Sequence, residues 1–360
     1  MNSQVRSLQS FIGQLSHLFQ RRFQWQGLHR GQSLQSLLLW FAIGLGLSLS
    51  VAACSPTPPS SNSANSTPSA TASQTIRIGY QKSSTALNLL KNQGTLEKRL
   101  GEEGVSVEWN EFVAGPQMLE ALNVGSIDFA YTGETPPVFA QAAGAPMVYV
   151  AYEPLGSRAE AILVQQDSPV QQVADLKGKS VALNKGSNVH YLLVRALEDA
   201  GLQYSDIQTV FLPPGDARPA FEQGSVDAWV IWDPFQAAAE TSIAARVLAD
   251  GTDLVANRGF FLSTQSFSQQ HADLLEKLLE ELRTVSDWAK THPDDVAQFL
   301  SAELGIDKAA LDLAEKRRGY GVEPLTEQVV AQQQEIADTF LKLGLIPNEI
   351  KIADAIWQPT

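Results

Sequence analysis

The sequence predicts an α/β fold, with mainly parallel sheets and helices on both faces. Three observations carry this. From Thr75 onward, short β-branched and aromatic runs alternate with segments of helical apolar spacing. The turns between them fall at Gly, Pro, Ser, Asn and Asp. Beyond Ser268 only helix-spaced apolar residues remain. Repeated strand–helix units imply parallel strands joined by crossovers. At 360 residues and 44% hydrophobic, the chain has enough apolar mass for one large or two medium cores.

Thr-Ile-Arg-Ile-Gly at 75–79 reads as the first strand, followed by a helix over 86–100. Residues 105–112 alternate apolar and polar and read as a strand. A helix opens at Gly115-Pro116, where proline's missing N–H costs nothing. A short strand at 128–131 precedes a helix from Pro136, and 147–152 and 160–164 are further strands. Next come a strand at 180–183, a helix over 188–200, a strand at 209–212 and a helix after Asp216. Strands at 228–231 and 246–248 complete the alternation. Helices follow over 272–290, 293–301, 308–317 and 326–343. The stripe Leu274, Leu275, Leu278, Leu279 and Leu282 reads as core packing.

The N-terminus carries a different signal. Arg30 precedes an apolar run from Leu37 that closes on Val51-Ala52-Ala53-Cys54. A basic flank, an apolar segment and small residues before a cut site read as a secretory signal peptide over 1–53. The small residues before a cysteine resemble the bacterial lipobox, which makes Cys54 the lipidated first residue of the mature chain. An uncleaved membrane helix is the competing reading, and the 17 residues from Leu37 to Ala53 barely reach the length of a span. Residues 54–74, rich in Ser, Pro, Thr and Asn, read as a flexible tether.

Composition excludes several functions. Cys54 is the single cysteine, so there is no internal disulfide and no redox pair. The first 53 residues hold four arginines and no acid, leaving 22 basic and 39 acidic residues beyond them. So acidic a body argues against a nucleic-acid partner. His190, His271 and His292 lie far apart without partners at ligand spacing, so no metal and no cofactor is expected. There is no nucleophile elbow, no P-loop and no dinucleotide fingerprint. The sequence predicts a protein that is not an enzyme.

Three strand-to-helix turns stand out instead. They are Tyr131-Thr132-Gly133-Glu134-Thr135-Pro136-Pro137, Asn184-Lys185-Gly186-Ser187-Asn188, and Gly115-Pro116-Gln117. Each sets backbone N–H groups at a helix start, where the helix dipole favours an anion. In open α/β sheets ligands bind at the carboxyl ends of strands, where these turns fall. Taken singly, each is equally an ordinary cap. Trp229 and Trp232 sit near the end of one strand, and spacing leaves open which is core and which covers a ligand.

Long segments carry a resemblance to a known family. Ile78-Gly79-Tyr80-Gln81-Lys82, the run from Ala114 to Asp128, Val173-Ala174-Asp175-Leu176-Lys177-Gly178-Lys179, Lys185-Gly186-Ser187, Asp216-Ala217-Arg218 and Val226-Asp227-Ala228-Trp229 with Ile231-Trp232-Asp233-Pro234 resemble the aliphatic sulfonate-binding proteins of ABC transporters. The likeness runs from about Thr75 to Trp357. It implies a type II periplasmic-binding fold, two α/β lobes joined by two crossovers near 152–157 and 251–258. Lobe 1 would take 75–155 and 255–360, including the C-terminal helices, and lobe 2 would take 156–254. It further implies a monomer that passes a small organic sulfonate to a transporter permease from a periplasmic position. On this view the membrane is met only through the lipid. The cleft residues it implies are Gln81, Gln117, Thr132, Gly133, Glu134, Gly186, Ser187, Asn188, Trp232 and Asp233. Helix starts and hydroxyls would hold the sulfonate, and the tryptophan would cover its carbon chain. Glu134 and Asp233 would repel a touching anion, so they are expected to orient donors or to meet an amino group such as that of taurine. Taurine, nitrate and other small anions are alternatives on the same fold. Enzymes of this fold, the pyrimidine-precursor synthases, resemble cysteine-bearing cytosolic proteins, which this chain does not.

Overall fold

The computed structural model describes residues 74–358. The expected signal peptide, Cys54 and nearly all of the tether lie outside the described residues.

The chain begins with β1 (Gln74–Tyr80), then α1 (Thr85–Gln93) and α2 (Thr95–Gly101). One helix was expected over 86–100, but Gly94 sits between the two with φ 64° and ends the first in a left-handed turn. Next come β2 (Val105–Glu111), α3 (Gly115–Asn123), β3 (Phe129–Gly133), α4 (Thr135–Ala142) and β4 (Met147–Glu153). The chain then crosses to a second sheet. It builds β5 (Glu160–Val164), β6 (Ser180–Leu183), α5 (Asn188–Asp199), β7 (Gln208–Phe211), α6 (Pro214–Glu222), β8 (Ala228–Trp232), α7 (Phe235–Ser242) and β9 (Arg246–Asp250). It returns with β10 (Gly259–Thr264) and ends in α8 (Gln265–Gln270), α9 (Ala272–Thr291), α10 (Pro293–Leu304), α11 (Lys308–Arg317) and α12 (Glu327–Lys342).

Both sheets have five strands, in the orders β2-β1-β3-β10-β4 and β7-β6-β8-β5-β9. In each, one strand runs against the rest: β10 is antiparallel to β3 and β4, and β5 to β8 and β9. The mainly parallel α/β architecture expected from the sequence is therefore present, twice. Strand β10 was not anticipated. All six of its residues are buried, so Gly-Phe-Phe-Leu-Ser-Thr lacks the alternation that marks a half-buried strand. Helix α7 was also missed, because its alanine-rich sequence carries little apolar periodicity.

The core of the first sheet joins Ile76, Ile78 and Phe261 to the leucine stripe of α9, where Leu275, Leu278 and Leu282 are fully buried. That stripe is core packing, as its spacing indicates. The second sheet packs Ile162, Leu163, Val181 and Trp229 against α5 and α6. The C-terminal helices do not all keep to the first sheet. Ala310 and Ala314 of α11 pack on Ala237 and Ala238 of α7, which belongs to the second. Phe340 of α12 meets Phe139 of α4 at 5.0 Å between ring centroids, and His190 of α5 at 5.2 Å. These helices tie the two sheets together beside the chain crossings.

Candidate binding cleft

A cleft opens between the sheets at the carboxyl ends of β1, β3 and β8, where a doubly wound fold holds its ligands. Gln81 and Ser83 enter from the loop after β1, and Tyr131, Thr132 and Gly133 from the end of β3. Ser187 and Asn188 enter from the start of α5, and Trp232 and Asp233 from the end of β8. The cleft is narrow, with only about 40 Å³ of it wide enough to admit the centre of a water molecule. Gly133 lets the facing elements meet, since a Cβ there would lie 2.9 Å from the Asn188 Cβ.

Ordinary capping does not explain these turns. Among the described residues, no N-cap side chain accepts a hydrogen bond from the first turn of α3, α4 or α5. Ser187 is the N-cap of α5, yet its hydroxyl donates back to the Asn184 carbonyl at 2.7 Å. The His190 N–H already donates to the Ser187 carbonyl at 3.0 Å, which leaves the first-turn N–H groups of Asn188 and Val189 with capacity for an anion. The start of α4 is poorer in donors, because Pro136 and Pro137 supply no N–H.

Among the described residues one cationic group lines the cleft, and no local pattern marks it. Arg318 follows α11, its side chain 6% exposed. Nη1 donates to Thr85 Oγ1 at 2.6 Å and to the Ser83 carbonyl at 3.2 Å, and Nη2 reaches Glu153 at 3.4 Å. Its Nε is buried with no hydrogen-bond partner among the described residues. Burial alone would lower the guanidinium pKa, but Glu153 and Glu315 raise it, so the charge is permanent. Arg318 lies more than 230 residues from Ser83 and Thr85 in sequence, so only the folded chain brings them together.

The residues implied by resemblance separate into groups. Gln81, Thr132, Gly133, Ser187, Asn188, Trp232 and Asp233 line this cleft. Gln117 does not, for its side chain is exposed on the outer face of α3. Gly186 lines a neighbouring groove over the Phe139 ring. Glu134 is 2% exposed and lines a different cavity, where its Oε2 accepts from the Arg258 backbone N–H at 3.0 Å. Asp233 is held by Arg317 through two hydrogen bonds of 2.5 and 2.8 Å and also accepts from Ala237 N–H. Both acids are thus already engaged by protein donors. Of the two tryptophans, Trp229 is core beside Phe221, while Trp232 faces the cleft. Replacing Gln117 with alanine is expected to leave affinity for any cleft ligand within about twofold, checked by titration calorimetry.

Behind the cleft lie two buried carboxyls, Glu134 of the first sheet and Glu160 of the second. Asn188 Nδ2 donates to Glu160 Oε2, and one oxygen of each acid has no partner among the described residues. Burial pushes Glu134 up to about 7, partly opposed by the Arg258 backbone. Burial and the nearby Glu134 push Glu160 well above the usual carboxylate range. Between pH ~4.5 and ~7 the unfolded chain's acids ionise while this pair keeps its protons, so stability falls as pH rises through that window. Thermal melts are expected to show a drop in Tm from pH 5 to pH 7.5 that shrinks in Glu160→Gln. Burial similarly pushes His190 down to about 4, with Lys185 adding to the effect, so it is neutral at pH 7. Its Nδ1 accepts from Gly186 N–H at 3.2 Å, so it holds the turn before α5.

A family model described as NMT1/THI5 like matches residues 100–296. Over 298 residues the chain is 44% identical to an aliphatic sulfonates-binding protein of Escherichia coli (strain K12), covering 82% of this chain and 91% of that one. The chain belongs to the NMT1/THI5-like family of substrate-binding proteins. It is a binding protein, not an enzyme. The crystal structure of the periplasmic aliphatic sulphonate binding protein from Escherichia coli matches with a TM-score of 0.73, covering 80% of this chain and 93% of that chain. The alkanesulfonate-binding protein from Xanthomonas axonopodis pv. citri, bound to MOPS, matches with a TM-score of 0.75 at 40% identity, over 79% of this chain and 98% of that one. A Candida albicans protein with the generic periplasmic binding protein fold matches at TM-score 0.64 and 12% identity, over 80% of this chain and 96% of that chain, a likeness of fold alone. The family member described here has that periplasmic-binding fold.

Proposed function

We propose that the protein captures aliphatic sulfonates in this cleft and delivers them to the permease of an ABC importer. The observation that carries the reading is the start of α5, which has no side-chain cap and lines the same narrow cleft as the buried Arg318. A sulfonate presents three oxygens around one full negative charge. Helix-start N–H groups and a guanidinium answer both the charge and the number of acceptors. Trp232 offers an apolar face to the first carbons of the chain. The 44% identity to the Escherichia coli protein and the sulfonate-bound Xanthomonas relative support the same ligand class. Gln81, Thr132, Gly133, Ser187, Asn188 and Trp232 are the residues proposed to surround it.

Titration of the purified domain with alkanesulfonates, taurine and nitrate tests this reading. Saturable sulfonate binding is expected; binding of nitrate alone, with no response to any sulfonate, would overturn it. Cys54 is proposed as the lipidated residue that holds the domain outside the cytoplasm after removal of 1–53. Cys54→Ala is expected to release the protein from the membrane fraction into the soluble one, read by fractionation and immunoblot.

A further inference from the structure

Glu134 and Glu160 stand directly behind the cleft wall. Glu134 follows Gly133, which lines the cleft from the first sheet. Glu160 accepts a hydrogen bond from the side-chain amide of Asn188, which lines it from the second. Gly133 and Asn188 meet where the sheets face each other, and Glu134 is the charge that acts on Glu160. The two acids are 2% and 0% exposed. Each keeps one carboxyl oxygen, Oε1, without a partner among the described residues. A proton held between two carboxyls supplies the donor that both oxygens lack.

The surrounding elements do not balance this charge. The Arg258 guanidinium shares a cavity with Glu134, but its Nη2 donates to Gln332 at 2.6 Å. Asp253 and Glu335 line that cavity too, with Tyr191 beside them. On the second sheet, Glu160 lies opposite Trp232 of β8, and the adjacent Asp233 is bound by Arg317. Arg158 is turned to Asp250 of β9 at 3.8 Å. In α5 and the turn before it, Lys185 lies over the Phe211 ring, and His190 Nε2 meets the Tyr204 hydroxyl at 2.7 Å. The arginines nearest the cleft are engaged as well. Arg317 faces Asp233 and Glu240, and Arg318 faces Glu153 and Glu315. Two guanidiniums thus meet four acids. An anion entering the cleft adds one more negative charge, which a proton on the pair offsets.

We infer that the Glu134–Glu160 pair is a proton site linked to the cleft, so that capture of the anion takes up a proton there and binding tightens as pH falls. The inference rests on the sulfonate reading of the cleft. The linkage is reciprocal: the anion favours the protonated pair by the same factor as the protonated pair favours the anion. With anion bound, the pair keeps its proton to higher pH than without it. Affinity is therefore lost as pH rises through the range between the two states. Burial sets Glu134 at about 7, which brings that range near neutrality.

Calorimetric titration of the wild-type domain with butanesulfonate, an anion that stays ionised at every pH used, tests this. Repeating it at pH 7 in Tris and in cacodylate, which differ in heat of protonation, counts the protons taken up. About 0.3–1 proton per anion is expected, with affinity falling about fivefold or more from pH 6 to pH 8.5. In Glu160→Gln and Glu134→Gln, each a neutral near-isostere, the uptake is expected to fall at least threefold, and affinity to vary by less than about twofold over the same range. Sulfonate binding by the wild type without proton uptake overturns the proton site and spares the cleft. So does an uptake that both variants retain, which puts the proton on another buried acid such as Glu153. A wild-type domain that binds no sulfonate overturns the cleft reading, and the proton site with it.

Discussion

Ser187→Asp is expected to abolish sulfonate binding, with affinity falling by a hundredfold or more, while the domain stays folded. Ser187 is 2% exposed, lines the cleft and is the N-cap of α5. A carboxylate there acts twice. It places a like charge against the anion in a site with little water, where such juxtaposition costs several kcal/mol. It also accepts the first-turn N–H groups of α5 itself, because aspartate is as good an N-cap as serine. The same capping protects the fold, so Tm is expected to change by no more than about 4 °C. Ser187→Ala removes only a hydroxyl bound to Asn184, and is expected to weaken binding by less than tenfold. Calorimetry and thermal melts on both variants separate these effects. If Ser187→Asp binds within threefold of wild type, the anion does not sit at α5.

Arg318→Met is expected to destabilise the protein by about 3–5 kcal/mol at pH 7.5, the usual consequence of removing one partner from a buried ion pair. The loss reaches several groups at once. Glu153 and Glu315 are 1% and 5% exposed, and without Arg318 they stand uncompensated. Tyr131 donates to Glu153 and Tyr320 to Glu315, so two tyrosine hydroxyls depend on the same cluster. The sign with pH follows. Burial already raises the Glu153 pKa, and Arg318 is the main influence holding it down. In the variant the carboxyl keeps its proton to higher pH, so the destabilisation is expected to be smaller at pH 5 than at pH 7.5. Chemical denaturation at the two pH values measures this directly. Equal losses at both would mean that packing of the arginine stem, and not the charge, is what Arg318 contributes. Sulfonate binding is expected to fall as well, because the buried Nε is then gone from the cleft.

Much of the architecture was legible because it is local. Helix α11 falls at the residues its spacing marks and strand β2 within one residue of its alternating run, since alternation and helical spacing are set by neighbours a few residues apart. Strand β10 escaped because it is buried on both faces, which erases the pattern. The split at Gly94 depends on one backbone angle that apolar spacing does not report.

The cleft divides the same way. The turns at Thr132–Gly133 and Ser187–Asn188 could be read from the sequence, because helix starts carry their own residue chemistry. Whether they were caps or ligand donors could not, since that depends on where the Ser187 hydroxyl points. By itself, the sequence determined an acidic, cysteine-poor α/β binding body with anion-ready helix starts. Tertiary structure alone decided that Trp232 and not Trp229 faces the cleft, that Gln117 lies outside it, and that Arg318, just past α11, lines it. Side-chain direction and contacts between distant segments depend on how the two sheets pack together, and packing leaves no local trace in the chain.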